Sequence, residues 1–201
     1  WHELAPTADD AAQVLLGLQV SNNRSEEAKA SLAKQLASSS AAMLPMAIGN
    51  VQRLLARMPD RVRASAMMKE LLEPYRDLIE ARIALIQMAM VSGDRAAAMK
   101  ESRETISKFP NSEIAVLMHA QLLENKTDGL KLLADFLKKN SKSREVRLTY
   151  ARMLFEQSKV AEAKKEFRTL LQQSPNDQTS LYALGLLMAQ TNEIAEAEKY
   201  L

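Results

Sequence analysis

Three kinds of side chain in this sequence could do chemistry by type: two histidines, a serine three residues ahead of a lysine, and several adjacent carboxylates. His2 and His119 lie far apart, and neither belongs to a His-Glu-x-x-His spacing that would bring two imidazoles onto one helix face to share a metal. His119 falls beside Ala120 on an inward helix face and reads as a core or groove histidine rather than a ligand or proton carrier. Ser31-Leu32-Ala33-Lys34 has the spacing in which a lysine activates a serine nucleophile. The Ser-Asp-Asn and Lys-Thr-Gly elements that complete such a site are missing, and Lys126-Thr127-Asp128-Gly129 is only a near miss, so chance explains it. Asp9-Asp10 and Glu26-Glu27 sit in first helical turns, where the helix dipole favours negative charge, and read as capping charge rather than as acid and base. Phosphate-cradling loops need clustered glycines, yet the nearest two, Gly17 and Gly49, are thirty-two residues apart. With no Cys there is no thiolate, disulfide or Cys-based zinc site. No enzyme activity, cofactor or metal is expected of these residues.

The elements that would have to position any site are helices. Hydrophobic residues make up 47% and charged residues 26%, which describes a folded chain, while 4% aromatics with five Gly and six Pro leave too few turn residues for many hairpins. A formal charge of +2 is too balanced to draw the chain onto nucleic acid or an acidic membrane. Lys138, Lys139, Lys142, Arg144 and Arg147 form the basic cluster, read as a solvated helix end, with an acidic partner patch as the alternative. Eleven Met, a high number, suit irregular core packing and also adaptable binding surfaces. No stretch approaches the ~18 apolar residues of a membrane span. The chain opens on Trp1-His2-Glu3 without an initiator Met or a leader, so a longer parent polypeptide is expected.

A repeat runs through the sequence. Glu162-Ala163-Lys164-Lys165-Glu166-Phe167 returns thirty-four positions later as Glu196-Ala197-Glu198-Lys199-Tyr200-Leu201. Tyr150-Ala151-Arg152-Met153-Leu154 returns likewise as Leu184-Gly185-Leu186-Leu187-Met188. Gly129, Ala98 and Ala28 hold the small-residue position of Ala163 further back. Pro6, Pro110 and Pro175 mark unit ends, with Asn111-Ser112 and Asn176-Asp177 following as turn and capping residues. Each unit reads as two amphipathic helices: Leu148, Ala151, Leu154 and Phe155 share one face, as do Val160, Ala163, Phe167, Leu170 and Leu171. The small residues fall where helix axes must approach within about 8–10 Å. Turns between paired helices are expected at Asn22-Asn23-Arg24-Ser25, Ser92-Gly93-Asp94, Thr127-Asp128, Ser158-Lys159 and Asn192-Glu193.

Small residue, larger hydrophobe, small residue, aromatic and Pro over thirty-four residues resembles the tetratricopeptide repeat. The resemblance covers nearly all of 1–201 as a single segment: 1–8 as the end of a preceding repeat, then 9–42, 79–112, 144–177 and a partial 178–201. Unit 113–143 is three residues short between its helices. Unit 43–78 is degenerate, interrupted by Pro45, Gly49, Pro59 and Pro74 and preceded by Ser38-Ser39-Ser40, with a local change of curvature expected there. Met67, Met68, Leu71 and Leu72 still provide it a second helix. The resemblance implies an all-α, right-handed superhelical solenoid of antiparallel helix pairs, about five to six repeats long and truncated at both ends, because neither end carries a polar cap.

The family also implies that the second, fifth, ninth and twelfth residues of the first helices point into a concave groove. These are Asp10, Gln13, Gly17 and Val20; Glu80, Ile83, Gln87 and Met90; Ile114, Leu117, Gln121 and Glu124; Glu145, Leu148, Arg152 and Phe155; and Thr179, Tyr182, Leu186 and Ala189. Ile83, Leu117, Leu148 and Tyr182 form an apolar line with Gln87, Gln121 and Arg152 beside it, and Met90, Phe155 and Leu186 complete the candidate partner-binding set. Inter-repeat core and ligand contact are both open readings of that line. The Lys and Asn set with which some family members grip a C-terminal carboxylate is missing. The implied function is a non-catalytic scaffold or adaptor that binds a protein or peptide, the groove suiting an amphipathic helix or an extended apolar segment. The alternative is a structural segment of a larger bacterial envelope or secretion assembly. Nucleic acid and direct membrane insertion are not expected. Trp1-His2-Glu3-Leu4-Ala5-Pro6, the stretch Asp128 to Leu137 and the stretch Leu181 to Leu187 further resemble proteobacterial repeat lipoproteins that serve as protease adaptors. That implies a periplasmic, outer-membrane-anchored parent, with a cytoplasmic one as the alternative.

Overall fold

The computed structural model describes residues 25–200, with Ser25 described by its backbone alone, and within them every regular element is helical. The first helix of 9–42 and the residues before it lie outside the described residues. Eleven α-helices follow: α1 (Ser25–Ser38), α2 (Leu44–Leu55), α3 (Arg61–Leu72), α4 (Ile79–Val91), α5 (Arg95–Lys108), α6 (Glu113–Leu122), α7 (Lys126–Lys139), α8 (Arg144–Glu156), α9 (Val160–Gln173), α10 (Gln178–Gln190) and α11 (Ile194–Ala197). A short 3-10 turn, Glu73–Tyr75, follows α3. The chain divides into two compact units, 1–105 and 106–201.

Regularity is greatest where the sequence repeat is clearest. First helices α4, α8 and α10 are each 13 residues long, and second helices α1, α5, α7 and α9 are each 14. In 113–143 the three missing residues come out of the end of α6, which has 10. Starts are fixed by side-chain oxygens that accept orphan backbone N–H groups: Asp60 from Arg63 at 2.9 Å, Asp94 from Ala97 at 2.9 Å, Ser112 from Ala115 at 3.3 Å and Asn125 from Thr127 at 2.9 Å. The degenerate unit still forms its pair. Pro45 is accommodated in the first turn of α2, where no backbone donor is needed, and Pro59 falls between α2 and α3.

One turn is used three times. Gly93, Ser158 and Asn192 occupy the same repeat position and all adopt positive φ, at 81°, 59° and 62°. In each, the next residue's N–H reaches back five residues at 2.9 Å, Asp94 to Ala89, Lys159 to Leu154 and Glu193 to Met188, closing the first helix with a Schellman turn. Unit 113–143 lacks this turn, and the chain leaves α6 extended at Leu123. Left-handed backbone suits glycine and strains serine, so Ser158→Gly is expected to raise stability by about 0.5–1 kcal/mol in urea denaturation. Asn192→Gly should gain less, because asparagine tolerates this conformation.

In the first unit, α1 packs on α2 and α3, and α4 packs on both α2 and α3. Their shared core holds Leu32, Leu36, Ile48, Val51, Leu55, Met68, Leu72 and Met88. Met67 and Leu71 of α3 are buried in it as well. In the second unit each helix packs on its sequence neighbour, and α6 also packs on α8. Leu133, Phe136 and Val146 form one cluster, and Leu154, Phe167, Leu170, Leu184 and Met188 another. Burial of each such side chain contributes roughly 1.5–3 kcal/mol. The small repeat positions Ala28, Ala98, Ala151 and Ala163 are wholly buried. At Gly129 a Cβ would meet Met153 Cε at 2.8 Å and the Ala120 carbonyl oxygen at 3.4 Å, which shows how closely α7 approaches its neighbours.

Candidate protein-binding face

First helices α8 and α10 put their second, fifth, ninth and twelfth residues on one face, α6 does so with its second, fifth and ninth while Glu124 lies beyond its end, and most of these side chains reach solvent. Tyr182 is 63% exposed, Ile114 48%, Leu186 46% and Phe155 38%. Gln121 and Arg152 are exposed among them, and Leu117 is half-buried. Leu148 is not: at 5% exposure it belongs to the core with Ala151 and Leu154. In the first unit Ile83 is likewise buried at 9%, Gln87 is half-buried and accepts a hydrogen bond from the Gln52 amide, and Met90 is exposed. The fifth-position row therefore changes character along the chain, core at Ile83 and Leu148 and open at Tyr182. Ile114, a second-position residue outside the candidate set, joins the open apolar residues of the second unit.

A frame of charged groups holds these helices. Arg144 grips Asp177 with two parallel bonds, Nε to Oδ2 at 3.0 Å and Nη2 to Oδ1 at 2.7 Å, tying the start of α8 to the start of α10. Asp177 also accepts from Ser180 Oγ at 2.8 Å, and makes no cap bond to the backbone of α10. Buried Arg147 pairs with Glu166 of α9 and donates from Nη2 to the Ser141 carbonyl at 2.8 Å. Buried Lys164 donates to Thr191 Oγ1 and Glu193 Oε1, both at 2.5 Å, fixing α9 to the turn after α10. The sequence cluster of Lys138, Lys139, Lys142, Arg144 and Arg147 is thus dismantled, because both arginines are consumed by carboxylates on later elements.

These contacts set an acid limit on stability. The Arg144 guanidinium, with Ser180 assisting, holds the Asp177 carboxyl below its ordinary 3.8, and the Lys164 ammonium with the Thr191 hydroxyl holds Glu193 below 4.5. A carboxyl whose folded pKa is depressed stabilises the fold above its unfolded pKa and loses that contribution as pH falls through the folded value. Urea midpoints are therefore expected to hold from neutral pH down to about 5 and to decline below about 4. Asp177→Asn should begin lower and show a shallower decline.

Helices of 13 and 14 residues in alternation, interrupted in 43–78 and 113–143, make a repeat fold that solved structures share. A tetratricopeptide repeat protein from Parabacteroides merdae ATCC 43184 is similar with a TM-score of 0.59 at 15% identity, over 94% of this chain and 77% of that one. The fold is that of the tetratricopeptide-repeat proteins. MamA from Desulfovibrio magneticus RS-1 gives 0.59 at 12% identity, over 78% of this chain and 90% of its own. YrrB, described as a tetratricopeptide-repeat protein with an unusual peptide-binding site, gives 0.53 at 18% identity, over 77% and 81%. No family model and no curated protein matches the sequence.

The remaining sequence candidates have plain positions in this repeat fold. His119 is buried in α6, and Ser31 and Lys34 are both exposed on α1. Among the described residues no group of three or more His, Cys, Asp or Glu is placed to hold a metal, and no helix is long and apolar enough to cross a membrane. His2, Asp10, Gln13, Gly17 and Val20 lie outside the described residues.

Proposed function

We propose that this chain is a non-catalytic scaffold whose second unit binds an apolar segment of a partner protein along its first helices. The observation that carries the reading is the set of large apolar side chains left in water on one repeat face, Ile114, Phe155, Tyr182 and Leu186. Scattered exposed hydrophobes are ordinary; four that fall at groove-facing positions of the alternate helices α6, α8 and α10 mark an interaction surface. Tyr and Phe suit such a role because they offer large contact area at little rotamer cost. Gln121 and Arg152 can satisfy carbonyl oxygens of the bound segment. The peptide-binding site named for YrrB, which has the same fold, supports this choice of partner class.

A photocrosslinking residue placed at Tyr182 in the protein as its own cells produce it should join to one discrete partner. Phe155→Glu combined with Tyr182→Glu should weaken capture by about tenfold or more, since each lost apolar contact is worth on the order of 1.5 kcal/mol, while far-UV circular dichroism stays unchanged. Undiminished capture by that folded variant would overturn the proposal. An adaptor role, presenting the held protein to a second one, is the finer form of this reading, and a periplasmic parent anchored at the outer membrane its proposed setting. A parent lacking a lipidated cysteine would remove the anchor from it.

A further inference from the structure

A cavity of about 510 Å³ opens on the first unit between α3 and α5, and none of its lining residues belongs to the proposed binding face. Its size falls in the range of small-ligand sites, roughly 300–1,000 Å³. Small residues meet there, Ala66 of α3, Ala97 of α5 and Gly93 in the turn, and the buried side chains of Leu85 and Ala89 form the floor. Val62, at the apolar end, stands in water. Arg61 donates to the Val91 carbonyl at 3.4 Å and holds that end of α3 against the end of α4.

The opposite end is charged, and unequally so. Glu101 is taken by Arg76 at 2.5 Å and by Arg82 at 2.9 Å, and Glu104 lies 3.6 and 3.7 Å from the same two guanidinium groups. Glu101 and Glu104 are therefore neutralised from within, and Asp94, the third acid of the lining, is engaged by the Ala97 N–H at the start of α5. Lys69 on α3 and Lys100 on α5 also line the cavity, both exposed, and among the described residues neither has an acidic partner. A space with an apolar floor and two uncompensated ammonium groups at one end is complementary to an apolar chain that terminates in a carboxylate.

We propose that this cavity binds an apolar carboxylate, its chain over Leu85 and Ala89 and its anionic head between Lys69 and Lys100. Octanoate titrated calorimetrically into the whole protein should bind saturably at one site, and octanol at least about tenfold more weakly, because the charged hydrogen bonds are then lost. Lys69→Glu with Lys100→Glu should reduce octanoate affinity by a similar factor or more while circular dichroism stays that of the parent. Ala66→Phe should block the cavity and abolish binding without touching either lysine. Non-saturable uptake, equal affinity for octanol, or octanoate binding unaffected by the double charge reversal would each overturn the proposal. A peptide ending in a free leucine carboxylate, compared with its amide as a competitor, separates the sources. Displacement by the acid alone assigns the site to a chain terminus, and no displacement by either assigns it to a free apolar acid. The site is independent of the α6, α8 and α10 face, so Phe155→Glu with Tyr182→Glu should leave octanoate binding intact.

Discussion

Leu148→Glu is expected to unfold the second unit, whereas Tyr182→Glu, at the same repeat position one unit later, should leave it folded. Leu148 is packed within the cluster of Ala151, Leu154 and Phe167, while Tyr182 projects into water from α10. Removing the leucine side chain alone costs about 2–5 kcal/mol, and an unpaired carboxylate put in its place adds a desolvation penalty of several more. Together these are on the order of the whole stability of a domain, about 5–15 kcal/mol. At Tyr182 the new carboxylate stays hydrated, so the cost should remain within about 0.5 kcal/mol. Far-UV circular dichroism and urea melts of the two variants decide the matter. A Leu148→Glu protein that melted cooperatively near the parent midpoint would mean that this side chain reaches solvent and that the open row extends through α8.

What the sequence made legible, and what it hid, follows from which interactions are local. Helix existence and the close crossings could be read directly, because small residues return at Ala98, Gly129, Ala163 and Ala197, one unit apart, and a helix crossing tolerates little larger there. The turn position was visible at Gly93, Ser158 and Asn192, but only the glycine and the asparagine have residue types that favour left-handed backbone, so the positive φ of Ser158 was not signalled. The resemblance placed Leu148 and Tyr182 in the same row without distinguishing core from surface, since that depends on how many neighbouring helices cover each one. The fate of Arg144 and Arg147 was hidden for a related reason. Their partners Asp177 and Glu166 lie 33 and 19 residues away, so a count of nearby charge saw only a basic cluster. A signal was present nonetheless: Arg82 and Glu101 carry the same spacing of 19 in an earlier unit, and each arginine also donates to a carbonyl six residues behind it. The cavity between α3 and α5 left no trace in the sequence, because it arises from small residues on helices that periodicity alone does not juxtapose.

That recurrent arginine staple is the basis of the second large effect, the loss expected from Glu166→Ala. Arg147 is nearly closed to water, its Nε is buried without a hydrogen-bond partner, and Glu166 is the one carboxylate paired with it. Removing that carboxylate strands a buried guanidinium with only the Ser141 carbonyl to receive it, a situation that costs about 3–5 kcal/mol where measured in other buried pairs. Glu101→Ala in the equivalent position should cost distinctly less, because Glu104 remains within 3.7 Å of Arg82 and 3.6 Å of Arg76 and can take over part of the pairing. Replacing both partners, Arg147→Met with Glu166→Leu, should recover most of the loss, since an apolar pair avoids the desolvation that a lone ion cannot. Urea denaturation of the three variants separates these outcomes. If Glu166→Ala and Glu101→Ala each cost under about 1 kcal/mol, the arginines must find water in the folded state, and the staple would rank with ordinary surface ion pairs.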